Sequence, residues 1–179
     1  MKFSMRLTYN QHQFKDVLPE FVDINTGQST LCLVCSIAKM MTDIRRVPYY
    51  PQTIVDLFRV NNGFDEDPSD GTKTIIKWST FSDIWRDIYV VPLLWDKETK
   101  FHYNPSAIRL PSIVSVDGSM LIKGYQSHFA YVQNLIYKGN KIVNAEIFDP
   151  WHDRTLLVVP HYGDNLKDAI YSIINFVKS

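Results

Sequence analysis

Cys32 stands in the run Cys32-Leu33-Val34-Cys35-Ser36-Ile37-Ala38-Lys39, His128 in Ser127-His128-Phe129-Ala130-Tyr131-Val132, and Asp149 in Phe148-Asp149-Pro150-Trp151. A thiol, an imidazole and a carboxylate are the parts of a nucleophilic site. The thiol needs a base to form thiolate near neutral pH, and the base needs an acceptor that orients it. Each residue also has an ordinary structural use. A cysteine on an apolar helix face is a small buried hydrophobe, a histidine at a strand edge is commonly a packing residue, and Asp-Pro after a strand starts a turn. The order and the setting of the three are what favour chemistry.

The elements that must position them are legible. Leu31, Val34, Cys35, Ala38, Met41 and Ile44 recur at spacings of three and four, which predicts a helix from Leu31 to Arg45. Ser29 or Thr30 is placed to cap it, and Pro48 stops it. Cys32 then lies near a helix N-terminus, where free N–H groups and the dipole favour a thiolate. A second helix is expected from Pro51 or Gln52 to Val60, ended by Asn61-Asn62-Gly63, and a short third from Thr80 to Asp87. Strands are expected at Tyr89 to Trp95, Ser112 to Val116, His128 to Tyr137, Lys141 to Phe148 and Thr155 to Val159. Lys138-Gly139-Asn140 reads as a hairpin turn. That hairpin brings His128 and Asp149 to the same end of two neighbouring strands, where the carboxylate can hold the imidazole through one ring nitrogen. Gly163 to Lys178 returns to helical spacing, with Asp164 or Asn165 as its cap. Helices first, an antiparallel sheet next and a closing helix together imply an α+β domain.

Composition bounds the rest. The chain has 179 residues, 45% of them hydrophobic and 21% charged, which fits a single globular domain over residues 1–179. Nineteen basic residues balance nineteen acidic ones. Zero net charge disfavours nucleic acid or an anionic membrane as the main partner, since both select basic surfaces. Two cysteines do not make a disulfide scaffold. The first residues show no signal-peptide pattern and no stretch is apolar enough to span a bilayer, so a cytoplasmic or virion-associated protein is expected. No second C-x-x-C and no H-x-H supports a metal site, and no cofactor is expected. The acidic run from Asp65 to Asp70 lacks the ligand spacing of a calcium loop. His12, His102 and His161 read as solvent-facing or packing residues. His152 is close enough to Asp149 to line a cleft, and Trp151 is placed to shield it.

Taken together, these motifs resemble the papain-like cysteine peptidases of the bacteriocin-leader-processing type, and especially their free-standing bacterial and phage relatives. The nucleophile motif of those relatives is similar to C-N-V-T-S-L-A-M; Val34, Ser36 and Ala38 match it and Ile37 is conservative. The Pro-led helix ending in Asn-Gly resembles Pro51 to Phe64. The strand before the histidine resembles Leu110-Pro111-Ser112-Ile113-Val114. The histidine motif G-H-F-V-V-V resembles Ser127 to Val132, and the N-D-P motif resembles Phe148-Asp149-Pro150. The likeness covers roughly Asp23 to Val159.

That resemblance implies a papain-like fold with N-terminal helices on an antiparallel sheet. It implies Cys32 as nucleophile, His128 as general base and then acid, and Asp149 as orienter. It also implies an upstream glutamine as oxyanion donor, for which Gln28 is the candidate. Leu33 and Ser127 depart from the family pattern, which has a small or polar residue and a glycine there. Cys35 competes with Cys32, because C-x-x-C-W-A-F papains use the second cysteine. Ser36 and Ala38 favour Cys32 by register. Two functions follow. One is hydrolysis of an amide bond in a peptide, a protein or a peptidoglycan stem peptide. The other is a pseudo-peptidase that binds a peptide or partner protein in the same cleft.

Overall fold

Residues 8–66, 75–93, 104–125 and 127–179 are described by the computed structural model. Helix α1 runs Cys32–Arg45. Its first seven residues, Cys32 to Ala38, are all buried, polar Ser36 included. A helix buried all round is an interior one, and α1 is the central helix of the domain. Neither expected cap residue caps it. Leu31 takes the cap position without a side-chain hydrogen bond, while the Thr30 hydroxyl donates to the Phe21 carbonyl at 2.7 Å. At the other end Arg46 turns left-handed and closes the helix onto Thr42.

Helix α2 spans Pro51–Val60, with Pro51 in the first turn where its missing N–H costs nothing. Helix α3 spans Trp78–Ile84, starting and ending earlier than the spacing suggested. Phe64–Asp65 (β1) and Ile75–Ile76 (β2) form a small antiparallel pair that was not expected.

The main sheet has six strands: β3 (Ile88–Leu93), β4 (Ser112–Asp117), β5 (Ser127–Lys138), β6 (Lys141–Asp149), β7 (Arg154–Leu157) and β8 (Ile170–Lys178). The spatial order is β3-β8-β4-β5-β6-β7, and every neighbouring pair is antiparallel. The β5–β6 hairpin turns through Gly139 and Asn140, with Gly139 at φ +62°, a conformation that costs glycine little. The strand expected to reach Val159 stops at Leu157, and Val158–His161 forms a short turn, α4.

The C-terminal helix expected over Gly163 to Lys178 does not form. Asn165 does cap a helix, accepting from the Asp168 N–H at 2.9 Å, but that helix (α5) is the single turn Leu166–Ala169. The chain then enters β8, an interior strand between β3 and β4. Two physical reasons made β8 look helical. An interior strand is buried on both faces, so it lacks the apolar–polar alternation of a one-sided strand. A register shift at Tyr171 also sets Ile170 and Ile173, three apart, in the same core cluster, mimicking a helical step.

The sheet separates two apolar clusters. On one face α1, α2 and α3 pack on Ile113, Tyr131, Phe148, Ile174 and Phe176. On the other, α4 and α5 cover Val114, Val132, Ile147 and Ile173. The domain is therefore mixed α and β, with N-terminal helices on an antiparallel sheet. Trp95, His102 and Asp67 to Asp70 lie outside the described residues; Asp65 pairs with Lys77 at 3.3 Å. No helix among the described residues is long and apolar enough to cross a membrane.

Candidate active site

Cys32 is the first residue of α1, and the helix is fixed to β5 one turn further on. There the Ser36 hydroxyl donates to the Phe129 carbonyl at 3.3 Å. Ser36 is four residues past Cys32 and Phe129 adjoins His128, so this contact brings the thiol to the start of β5. On the sheet, Tyr131 lies opposite Phe148. Continued by one pair, that register sets small Ala130 opposite Asp149 and His128 diagonal to it, on the same face. The carboxylate and the imidazole meet at 2.7 Å, Asp149 Oδ1 accepting from His128 Nε2. The other ring nitrogen, Nδ1, is buried and finds no hydrogen-bond partner among the described residues. It is the ring atom left for the thiol, whose interaction with the imidazole lowers the thiol and raises the ring.

Asp149 is held from four directions. Oδ1 also accepts from the Trp151 N–H at 2.8 Å, an Asx turn that starts the β6–β7 connection. Oδ2 takes the Tyr162 hydroxyl and His152 Nδ1, the latter at 3.0 Å. Asp149 is therefore both the turn initiator and the partner of His128. His152, considered as a cleft-lining residue, instead braces the carboxylate.

Charge follows from these contacts. Burial alone would raise the Asp149 carboxyl, but the His128 hydrogen bond and charge, with Tyr162 and His152, hold it well below the usual carboxylate range. Burial alone would lower His128; the hydrogen bonds to Asp149 and Cys32 outweigh it and hold the imidazole at about 9. Burial alone would raise the Cys32 thiol. His128, the Phe129 backbone N–H and the Tyr125 hydroxyl outweigh that, and the net direction is downward. Cys35 shows the contrast. It is wholly buried in the helical core cluster, and burial pushes its thiol well up. Both thiols are free.

Gln28, the candidate oxyanion donor, is engaged by Lys15. Its side-chain oxygen accepts from Lys15 Nζ at 3.0 Å, in a half-buried pair. The buried amide near Cys32 belongs to Gln11. Gln11 Nε2 donates to the Ser29 carbonyl at 2.7 Å and to the Tyr125 hydroxyl at 3.4 Å. The Gln11 N–H donates to the Pro150 carbonyl at 3.1 Å, tying the N-terminal turn to the Asp149 loop. Asn10 as a turn cap was a readable signal, since its side chain accepts from the His12 N–H. The burial of Gln11 had no local signal. Tyr125 and Tyr162 were missed for the same reason: each is one aromatic residue in an irregular segment.

The site is closed. Cys32 is 4% exposed, and His128 and Asp149 are fully buried. The Trp151 ring lies over it, 4.4 Å from the His12 ring, 5.6 Å from Tyr125 and 6.4 Å from His128. Of the histidines read as solvent-facing or packing, His12 is half-buried and packs on Trp151, and His161 is exposed and meets His152 edge-on. A groove of about 1080 Å³ lies elsewhere, around Arg109, Tyr137 and Lys141 beside the far end of β5, and shares no residue with the site. A buried thiol beside an imidazole that a carboxylate orients can form a thiolate–imidazolium pair and act as a nucleophile. No protein-family model, curated protein or solved structure matches this chain.

Proposed function

We propose that this chain is a cysteine hydrolase of amide bonds, built on a papain-like arrangement. The observation that carries the reading is the division of labour on His128: Nε2 is committed to Asp149 at 2.7 Å while Nδ1 is left for Cys32. In this reading the Cys32 sulfur attacks the carbonyl carbon. His128 then gives its proton to the departing amine as the C–N bond breaks. Water, losing a proton to His128, attacks the thioester and releases the acid and the thiol. Asp149 holds the tautomer and the charge of the imidazole throughout. The substrate class is a peptide, a protein or a peptidoglycan stem peptide.

A second reading rests on a separate observation, the near-complete burial of Cys32, whose sulfur lies 3.8 Å from the Tyr125 hydroxyl. A cleft that stays shut to acyl groups but accepts a peptide along its rim would be a binding module descended from a peptidase. One experiment separates the two. The protein is incubated with p-nitrophenyl acetate, and the intact mass and peptide map are followed with time. The hydrolase gives a burst of one equivalent of p-nitrophenolate and a transient acetyl group on Cys32, both abolished in Cys32→Ser. No acetylation, or equal slow acetylation of Cys32 and Cys35, removes the hydrolase reading.

A further inference from the structure

Tyr125 is a buried phenol whose oxygen lies 3.8 Å from the Cys32 sulfur and 3.1 Å from the Ser29 carbonyl oxygen. It has one proton and two acceptors. The Ser29 carbonyl, in turn, has two donors, because Gln11 Nε2 also reaches it, at the shorter distance of 2.7 Å. If the Tyr125 proton turns away, that carbonyl keeps Gln11 and no buried acceptor is orphaned. Leaving one unpaired is what ordinarily pins a buried hydroxyl in place. The same amide also donates to the phenolic oxygen at 3.4 Å, which polarises the O–H and makes it a better donor. The orientation of the Gln11 amide is fixed by chemistry, since only its NH₂ can face a carbonyl. The ring itself cannot retreat: a Cβ on Gly118 would meet Tyr125 Cδ1 at 2.6 Å, so the backbone of Gly118 lies directly against it.

We propose that the Tyr125 hydroxyl is a switching donor at the nucleophile: it bonds the Ser29 carbonyl at rest, turns to the Cys32 sulfur as the thiolate forms, and then serves the oxygen of the attacked carbonyl. This rests on the hydrolase reading and supplies a side-chain donor other than Gln28, whose amide is paired with Lys15. When the carbon–sulfur bond forms, the carbonyl π electrons move to oxygen, which becomes an oxyanion bonded to a carbon on that sulfur. A hydroxyl in contact with the sulfur is in reach of that oxygen, for which donors at about 2.7–3.1 Å are effective. Tyr125 lends a hydrogen bond and keeps its proton. Burial, and then the charge of Cys32, push its own ionisation far up, so it stays a donor across the working pH.

The test compares the wild type with Tyr125→Phe, Gln11→Met and the double variant, each checked for fold by near-ultraviolet dichroism. Two rates are read: iodoacetamide alkylation of Cys32 as a function of pH, and acetylation by p-nitrophenyl acetate on the alkaline plateau, where the thiol is ionised. Tyr125→Phe is expected to move the alkylation midpoint up by about one pH unit. Acetylation should slow by about 10- to 100-fold, toward the loss seen when one oxyanion donor is removed. Gln11→Met is expected to shift the midpoint in the same direction, because Tyr125 becomes the sole donor to Ser29 and is pinned there. The double variant should be no worse than Tyr125→Phe alone, a non-additivity that a purely packing role does not produce. Alkylation curves for Tyr125→Phe that overlie the wild type overturn the proposal. A wild type that is never acetylated removes the hydrolase reading, and the alkylation curves still decide the role of Tyr125.

Discussion

His128 Nε2 and Asp149 Oδ1 are 2.7 Å apart, both side chains are wholly buried, and the second carboxylate oxygen is bonded to Tyr162 and His152. A carboxylate with four donors cannot be replaced by an amide without facing one donor with another. Asp149→Asn can keep the Asx turn to the Trp151 N–H, so the fold is expected to survive at a cost of about 1–3 kcal/mol. Activity is expected to fall by about 10- to 100-fold: the amide oxygen that keeps the Trp151 bond still accepts from His128 Nε2, but the charge that stabilises the imidazolium is gone. Tyr162→Phe removes one donor and leaves three. It should cost about 1–2 kcal/mol of stability and far less activity. Chemical denaturation and acetylation kinetics on the two variants check both halves of this ordering.

Gln28→Ala tests where the site ends. Its amide is engaged with Lys15 near the surface. The substitution is expected to change stability by no more than about 0.5 kcal/mol. Acetylation of Cys32 should stay within about twofold of the wild type. A loss approaching 100-fold would return the oxyanion role to Gln28.

The pH dependence of stability follows from the signs. His128 is raised from its ordinary value of 6.5 to about 9, so its contribution is fully present below pH 6.5 and is lost as pH rises through about 9. Asp149 is lowered, so its contribution is present above the ordinary carboxylate pKa and is lost as pH falls below it. Cys32, whose thiol is lowered, gains stability as pH rises over the same alkaline window and opposes the His128 loss, so thermal melts are expected to decline below about pH 5 and, on the alkaline side, only above the ordinary thiol value of about 8.5. In Asp149→Asn the alkaline decline should shift to lower pH, since the imidazolium has lost its main partner.

Much of this arrangement was legible because the signals were local. Six apolar residues at spacings of three and four marked α1, and Gly139 marked the hairpin that aligns His128 with Asp149. What stayed hidden was set by tertiary context. β8 resembled a helix because it is buried on both faces and shifts register at Tyr171. Gln11 joins the site through a backbone bond to Pro150, a contact 139 positions along the chain that no local pattern encodes. Tyr162 reaches Asp149 only because α4 folds back over the sheet. Gln28 looked like the family glutamine by its closeness in sequence, yet its side chain turns to Lys15. Amide exchange offers a check on β8. Its protected amides should exchange among the slowest in the chain, as an interior strand requires, whereas a terminal helix would fray.

The most direct measurement is the alkylation rate of each cysteine in native protein as a function of pH, read residue by residue by mass spectrometry. Cys32 has a lowered pKa and Cys35 a strongly raised one. Cys32 is therefore expected to label rapidly, with its midpoint clearly below the ordinary thiol value of about 8.5. Cys35 should remain unlabelled until the protein unfolds. Cys35→Ser should leave the Cys32 curve in place while costing about 1–3 kcal/mol for a hydroxyl buried in apolar surroundings. Slow labelling of both thiols, or fast labelling of Cys35 in the native state, would contradict the assignment of Cys32 as the nucleophile.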